Sequence, residues 1–365
     1  MVTIAAVPSL QGLSYLLSRG EGNTSRLRNL AVRVERLRQR DRWRYSPKRF
    51  GSSVDLVPLQ SPIFVLGLQG GGTTLISRCL QRHPDVVSMG GNSDFWVATD
   101  ELGYVRNRMA RLPRSLWSSA RRVDLADPLF GTEHASVYAC DAMLPHYRRT
   151  AAEAKPRDAL ELKRLLREHI VVYARDRTTA RFVDKTHTYT IKIPYLDALL
   201  ADCRPCYILV LRNPYTHCFR AVRRKPPSWQ REVTYEDSLR IAAEHWENSF
   251  RLALEDGSQT DRFVVLRFED FVRDPAAQVR RICETVGLSY SNELVPQPGH
   301  RMPFGTLPHD RKWFPLHSDE WRSLIPEEQM AIVEERCGKL ATQLGYERSR
   351  ETEPKLDGIS IASLG

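Results

Sequence analysis

The stretch SPIFVLGLQGGGTTLISRCLQRH, residues 61–83, constrains this chain more than any other. A short apolar run ends in glycine, three adjacent glycines follow, and a helical pattern starts at once. That order predicts strand, tight loop, helix. Consecutive glycines sacrifice conformational entropy, so they belong where the backbone must curl its N–H groups toward one point. A helix N-terminus behind such a loop adds partial positive charge, and the pair forms an anion site. The candidate contacts are Gln69, Gly70, Gly71, Gly72, Thr73 and Thr74. The bland alternative is a strand-to-helix turn without a ligand, and three glycines in a row argue against it.

Two absences narrow the class. A nucleotide-hydrolysing loop has Lys before its last Ser/Thr, and here that position is Thr73. Such enzymes also need an apolar strand ending in Asp to hold magnesium. The best candidate strand, CYILVL, ends in Arg212, which attracts a phosphate and repels a metal. Both substitutions point to an anionic nucleotide bound without a metal-centred hydrolysis site.

The rest of the chain alternates short apolar strands with longer helices. RFVDKT reads as strand and turn, CYILVL and FVVLRF as strands, and residues 157–175, 193–201, 276–287 and 327–345 as helices. Asp274 and Pro275 supply a cap and a first helical residue. The pattern is that of an α/β fold with a mainly parallel sheet.

Net charge is +10, but residues 1–50 hold 11 Lys and Arg against three Asp and Glu, so the body is nearly balanced. This argues against nucleic acid as the partner of the whole protein. The leader carries an amphipathic pattern, with Leu27, Leu30, Val34 and Leu37 in one stripe among arginines. It is a candidate surface for an acidic partner, a membrane face or a second subunit, although packing on the body explains it as well. No apolar run approaches the ~20 residues of a spanning helix. The N-terminus lacks a basic n-region, which argues against a signal peptide. Seven scattered cysteines fit free thiols and a cytoplasmic setting. Cys203 and Cys206 have CxxC spacing but no partner pair for zinc and no helix-opening position, so they read as structural.

The glycine loop and Arg212 are accompanied by further motifs in a fixed order. Leu80 to Val86 is LQRHPDV, Asp184 to His187 is DKTH, Leu209 to Pro214 is LVLRNP, Phe268 to Phe271 is FEDF with Asp274-Pro275 beyond, and Lys312-Trp313 closes the series. Together these resemble the sulfotransferases that use 3′-phosphoadenosine 5′-phosphosulfate, particularly the diverse bacterial members, over roughly Ser61 to Tyr346. The resemblance implies a P-loop-like sandwich with a central, mainly parallel sheet flanked by helices, and metal-independent, in-line transfer of a sulfuryl group. It implies that residues 69–74 hold the phosphosulfate, that Arg212 binds the 3′-phosphate, and that Lys312 takes part in donor binding.

This chain also departs from the family pattern. The loop's usual basic residue is Gly70, so another cation must balance charge on the leaving oxygen, and Lys185 is the nominee. The serine expected eight residues after the 3′-phosphate arginine is Arg220, a candidate second clamp. The position of a catalytic Glu in some members is Asn92, which cannot act as a base. The remaining base candidates are Asp94 and His187, ranked level, with His134 behind them, while His83 reads as structural. Three parts are expected: a basic leader over 1–55, a sulfotransferase-like domain over 56–348 with a variable acceptor-side insertion at 92–180, and a polar tail over 349–365. The acceptor is expected to present a hydroxyl on a small molecule, lipid or glycan. The alternatives are a P-loop kinase or NTPase, or a homologue that binds the donor without reacting.

Overall fold

The computed structural model describes residues 46–50, 53–89, 101–104, 112–118, 127–129, 136–223, 233–297 and 325–348. Five strands lie in one sheet: β1 (Ile63–Gly67), β2 (Val86–Ser88), β3 (Arg181–Asp184), β4 (Cys206–Leu211) and β5 (Phe263–Arg267). Their order is β2-β3-β1-β4-β5 and every pairing is parallel. Strands covered on both faces read as unbroken apolar runs, as IFVLG and CYILVL do. Side chains alternate between two cores. Phe64, Leu66, Tyr207 and Leu209 enter the larger one, and Ile63, Val65, Ile208 and Val210 the smaller. The expected mainly parallel α/β fold is the observed one.

Of the ten α-helices among the described residues, eight have six residues or more. They are α1 (Thr73–Leu80), α2 (Pro156–Tyr173), α3 (Ile193–Leu199), α4 (Pro214–Arg223), α5 (Tyr235–Gly257), α6 (Phe268–Arg273), α7 (Pro275–Val286) and α8 (Glu327–Gln343). Leu75 and Ile76 of α1 and Val279 and Ile282 of α7 fill the smaller core. The larger core takes Leu162 and Leu166 of α2 and Leu239, Trp246 and Phe250 of α5. Asp274 caps α7 by accepting the Ala277 N–H at 3.0 Å, as the sequence predicts. Residues 156–173 are therefore a core helix, although they fall within the stretch assigned to the acceptor side.

Two elements differ from the sequence reading. FVVLRF is not all strand, because Phe268 opens α6 and places Glu269 and Asp270 in its first turn. The 23-residue α5 was not anticipated. Its signals were present, since Thr234 accepts the Asp237 N–H at 3.1 Å and the buried positions recur at helical spacing. The leader helix expected over 24–43 and the polar tail lie outside the described residues.

The connections place a crevice. The loop leaving β1 leads through α1 toward β2, on one side, while the chain leaving β4 leads to β5 on the other. Loops that diverge this way open a cleft at the carboxyl ends of the strands, here between β1 and β4. The glycine loop and Arg212 border it.

Two buried histidines set an acid limit on the fold. Burial lowers His169 on α2 to about 4 and His245 on α5 to about 3. Unfolded histidine titrates near ~6.5, so below that pH the unfolded chain binds protons the folded chain refuses, and stability falls with pH. Urea unfolding is expected to show about 2–4 kcal/mol less stability at pH 5 than at pH 7. Equal stability at the two values would show that both rings are protonated inside the fold.

Candidate functional site

The glycine loop is built from backbone that only glycine tolerates. Gly70 and Gly72 have φ of 84° and 102°. A Cβ on Gly72 would lie 2.1 Å from the Phe268 ring, so the loop is pressed against α6. Gly67 is held by Thr190, whose hydroxyl accepts the Gly67 N–H at 2.8 Å and donates to its carbonyl at 3.2 Å. Gly72 then caps α1 through its carbonyl, which accepts the Leu75 N–H at 2.9 Å. Thr73 is buried, Thr74 is half-buried, and Gln69 is exposed at the loop tip.

Arg212, at the end of β4, meets the loop directly. It donates to the Gly70 carbonyl at 2.7 Å and lies over the Phe268 ring, 4.6 Å from its centroid. Its own carbonyl accepts from the Trp246 indole of α5 at 2.8 Å. The next residue, Asn213, caps α4 by accepting the Thr216 N–H at 3.2 Å, with Pro214 as the first helical residue. Glu269 holds this turn from α6. One carboxylate oxygen accepts the Asn213 N–H at 3.0 Å and the other accepts from the Tyr346 hydroxyl at 3.1 Å. Glu269 is thus a framework residue that acts from the first turn of a helix.

The third strand end supplies the titratable groups. Lys185 donates to Glu101 at 2.5 Å, with side chains only 3% and 6% exposed. His187 Nδ1 lies 3.2 Å from the other oxygen of the same carboxylate, and His187 Nε2 lies 3.0 Å from the Thr73 hydroxyl. Burial pushes the Glu101 carboxyl up, but Lys185 and then His187 outweigh it and hold it at about 2. Glu101 is therefore ionised and can only accept, so Nδ1 donates to it. Nε2 lies against the Thr73 hydroxyl and faces the glycine loop.

Glu101 is the residue that sequence reasoning missed. No motif surrounds it, and it lies 84 residues from Lys185. Its position comes from backbone docking of the segment 101–103 on the end of β3. Asp184 accepts the Leu102 N–H at 3.0 Å and Thr186 accepts the Gly103 N–H at 3.1 Å. Lys185, nominated as a cation facing the leaving oxygen, is paired with Glu101 in this structure.

The loop, Arg212, Lys185 and His187 are thus brought together as the sequence implies. Arg220 stands in the last turn of α4, half-buried. Asp94, His134 and Lys312 lie outside the described residues. His83 is structural, with Nε2 2.9 Å from the Ser289 hydroxyl and Nδ1 accepting the Asp85 N–H at 3.1 Å. All seven cysteines are buried and free, including Cys203 and Cys206. Among the described residues no cluster could hold a metal ion, and no helix is long and apolar enough to cross a membrane.

These features define a parallel α/β protein with a glycine loop of positive-φ backbone, a guanidinium at the end of the neighbouring strand and a buried Lys-Glu-His cluster. A model of the sulfotransferase family matches residues 62–292. The chain belongs to that family. It is 26% identical over 207 residues to an omega-hydroxy-beta-dihydromenaquinone-9 sulfotransferase, Stf3, of Mycobacterium bovis. That match covers 54% of this chain and 49% of Stf3, about half the length of the relative. Nodulation protein NoeE of Sinorhizobium fredii is 26% identical over 329 residues, covering 81% of this chain and 68% of NoeE. Among solved structures, sulfotransferase STF9 of Mycobacterium avium aligns with a TM-score of 0.46 at 14% identity, covering 93% of this chain and 91% of that one. The sulfotransferase domain of the curacin biosynthetic pathway aligns with a TM-score of 0.44 at 17% identity, covering 80% and 100%.

Proposed function

We propose that this protein moves a sulfuryl group from 3′-phosphoadenosine 5′-phosphosulfate to a hydroxyl of a small-molecule, lipid or glycan acceptor. The observation that carries the reading is the convergence of three strand ends, with Gly70–Thr74 after β1, Lys185 and His187 after β3 and Arg212 after β4. The loop fits an anion, since positive φ at Gly70 and Gly72 curls its backbone as an anion cradle requires. Membership of the sulfotransferase family supports the same donor. The name of one relative, a sulfotransferase of a hydroxylated dihydromenaquinone, supports a lipid among the acceptors.

When bound, the donor supplies a sulfuryl group whose sulfur–oxygen bond to phosphate breaks, the electron pair leaving with the phosphate, as the bond to the acceptor oxygen forms. The residues of this chain bind, orient and move a proton. Amides of the loop and the Thr73 and Thr74 hydroxyls hold negative charge at the head of α1. Arg212 serves the 3′-phosphate. His187 Nε2, turned to the loop by Glu101, takes the proton of the acceptor hydroxyl, in the arrangement of a base held by a third group. Lys185 stands beside it as the cation for charge that builds on the leaving oxygen. An intact Lys-Glu-His cluster favours a working enzyme over a homologue that only binds the donor.

Calorimetric titration with adenosine 3′,5′-bisphosphate tests the donor class. The parent protein is expected to bind without added metal, and Arg212→Ala is expected to bind about 10–100-fold more weakly, the loss of a charge-assisted contact. No heat and no thermal shift at millimolar bisphosphate would refute the reading. Magnesium-dependent ATP turnover that survives Arg212→Ala would favour a kinase or NTPase instead.

A further inference from the structure

Glu101 has two cationic or proton-donating partners and one carboxylate to share between them. Lys185 holds one oxygen at 2.5 Å and His187 the other at 3.2 Å. The other groups buried around this carboxylate among the described residues are Asp184, Tyr138 and Tyr189. Burial first, and the Glu101 charge after it, makes each hold its proton more tightly. Beyond His187 stands His245, which burial keeps neutral. Among the described residues, Lys185 is the ammonium paired with this carboxylate, with His187 beside it.

Lysine is the mobile member of this cluster. Its ammonium is a point charge on a flexible four-carbon stem, and an anion in the neighbouring loop competes for it with Glu101. His187 shows how near that loop is, because its ring spans the gap between Glu101 and Thr73. Each Lys185 hydrogen bond given to a loop-bound anion is one taken from a carboxylate that is nearly sealed from water.

We propose that Glu101 is a positioning residue that releases Lys185 to the anion in the glycine loop, so that the Glu101–His187 pair becomes a strong proton acceptor only when the donor is in place. This rests on the donor reading above and deepens it. With Lys185 on Glu101 the carboxylate is paired and has little demand for a further proton. With Lys185 drawn to the loop, the buried carboxylate loses its ion-pair partner, and burial disfavours an uncompensated charge. The proton that compensates it is the one the acceptor hydroxyl sheds as its oxygen bonds to sulfur. It lands on His187 Nε2, beside Thr73, and returns to solvent when product leaves and Lys185 swings back to Glu101.

Proton uptake on binding tests this without turnover. Adenosine 3′,5′-bisphosphate is titrated calorimetrically at pH 6.5 in buffers of different ionisation enthalpy, into the parent, Glu101→Gln, Glu101→Asp and Lys185→Met proteins. The parent is expected to take up at least about a third of a proton more per site than Glu101→Gln, with Glu101→Asp in between. Lys185→Met is expected to match Glu101→Gln, because no lysine is left to withdraw, and it decides the matter if Glu101→Gln does not fold. Equal uptake in all four would overturn the coupling while leaving the donor assignment intact. Absence of binding to the folded parent would instead remove the donor reading itself.

Discussion

His187→Ala is expected to lower kcat by about 10²–10⁴-fold, the usual worth of a positioned proton acceptor, while bisphosphate affinity changes less than about threefold. The asymmetry follows from where the ring lies. Nε2 touches the loop through one hydroxyl, Thr73, and the substitution leaves the Thr74 hydroxyl and the loop backbone in place. Lys185→Ala is expected to cost about 10²–10³-fold in kcat, since it removes the cation proposed to balance the leaving oxygen and strands the buried Glu101 carboxylate. Steady-state kinetics at saturating donor, beside calorimetric Kd values for the bisphosphate, separates these effects. A His187→Ala enzyme within tenfold of the parent kcat would reduce the ring to a support for Thr73 and move the base to another residue.

Gly72→Ala is expected to destabilise the protein by about 3 kcal/mol or more, and to lower Tm by about 6–12 °C. Two terms add. The φ of 102° is strained for any L side chain, and the new Cβ would lie 2.1 Å from the Phe268 ring. The ring cannot yield without consequence, because Arg212 lies over it and Phe268 is buried in the smaller core. Bisphosphate binding is therefore expected to weaken together with stability. Gln69→Ala, exposed at the loop tip, should leave stability unchanged. Differential scanning calorimetry of the two variants decides it, and a Gly72→Ala protein melting within about 2 °C of the parent would show that Phe268 has room to turn away.

Much of the fold was legible because its signals are local. An apolar run, a glycine or a Pro after a capping residue each act within a few residues of chain. That is how β1, β3, β4 and the Asp274 cap of α7 could be read directly. The error at Phe268 has the same origin. FVVLRF is uniformly apolar enough for a strand, and only the packing of Phe268 against Gly72 and Phe271 into the core turns the chain into α6 one residue early. The helix α5 was legible in principle from Thr234 and its buried spacing, and its role in holding Arg212 through Trp246 was not.

The candidate site divides along the same line. The amino-acid sequence by itself determined the parallel α/β class, the anion loop and the guanidinium at the end of β4, because each is a contiguous pattern whose chemistry is set by neighbours in the chain. It also named Lys185 and His187, two residues apart. Only the tertiary structure decided what those two do. Glu101 reaches them through backbone hydrogen bonds to Asp184 and Thr186, and so a cation expected to stand alone became one arm of a shared carboxylate. Electrostatic roles are fixed by which charges meet in a site shielded from water, and chain separation carries no information about that.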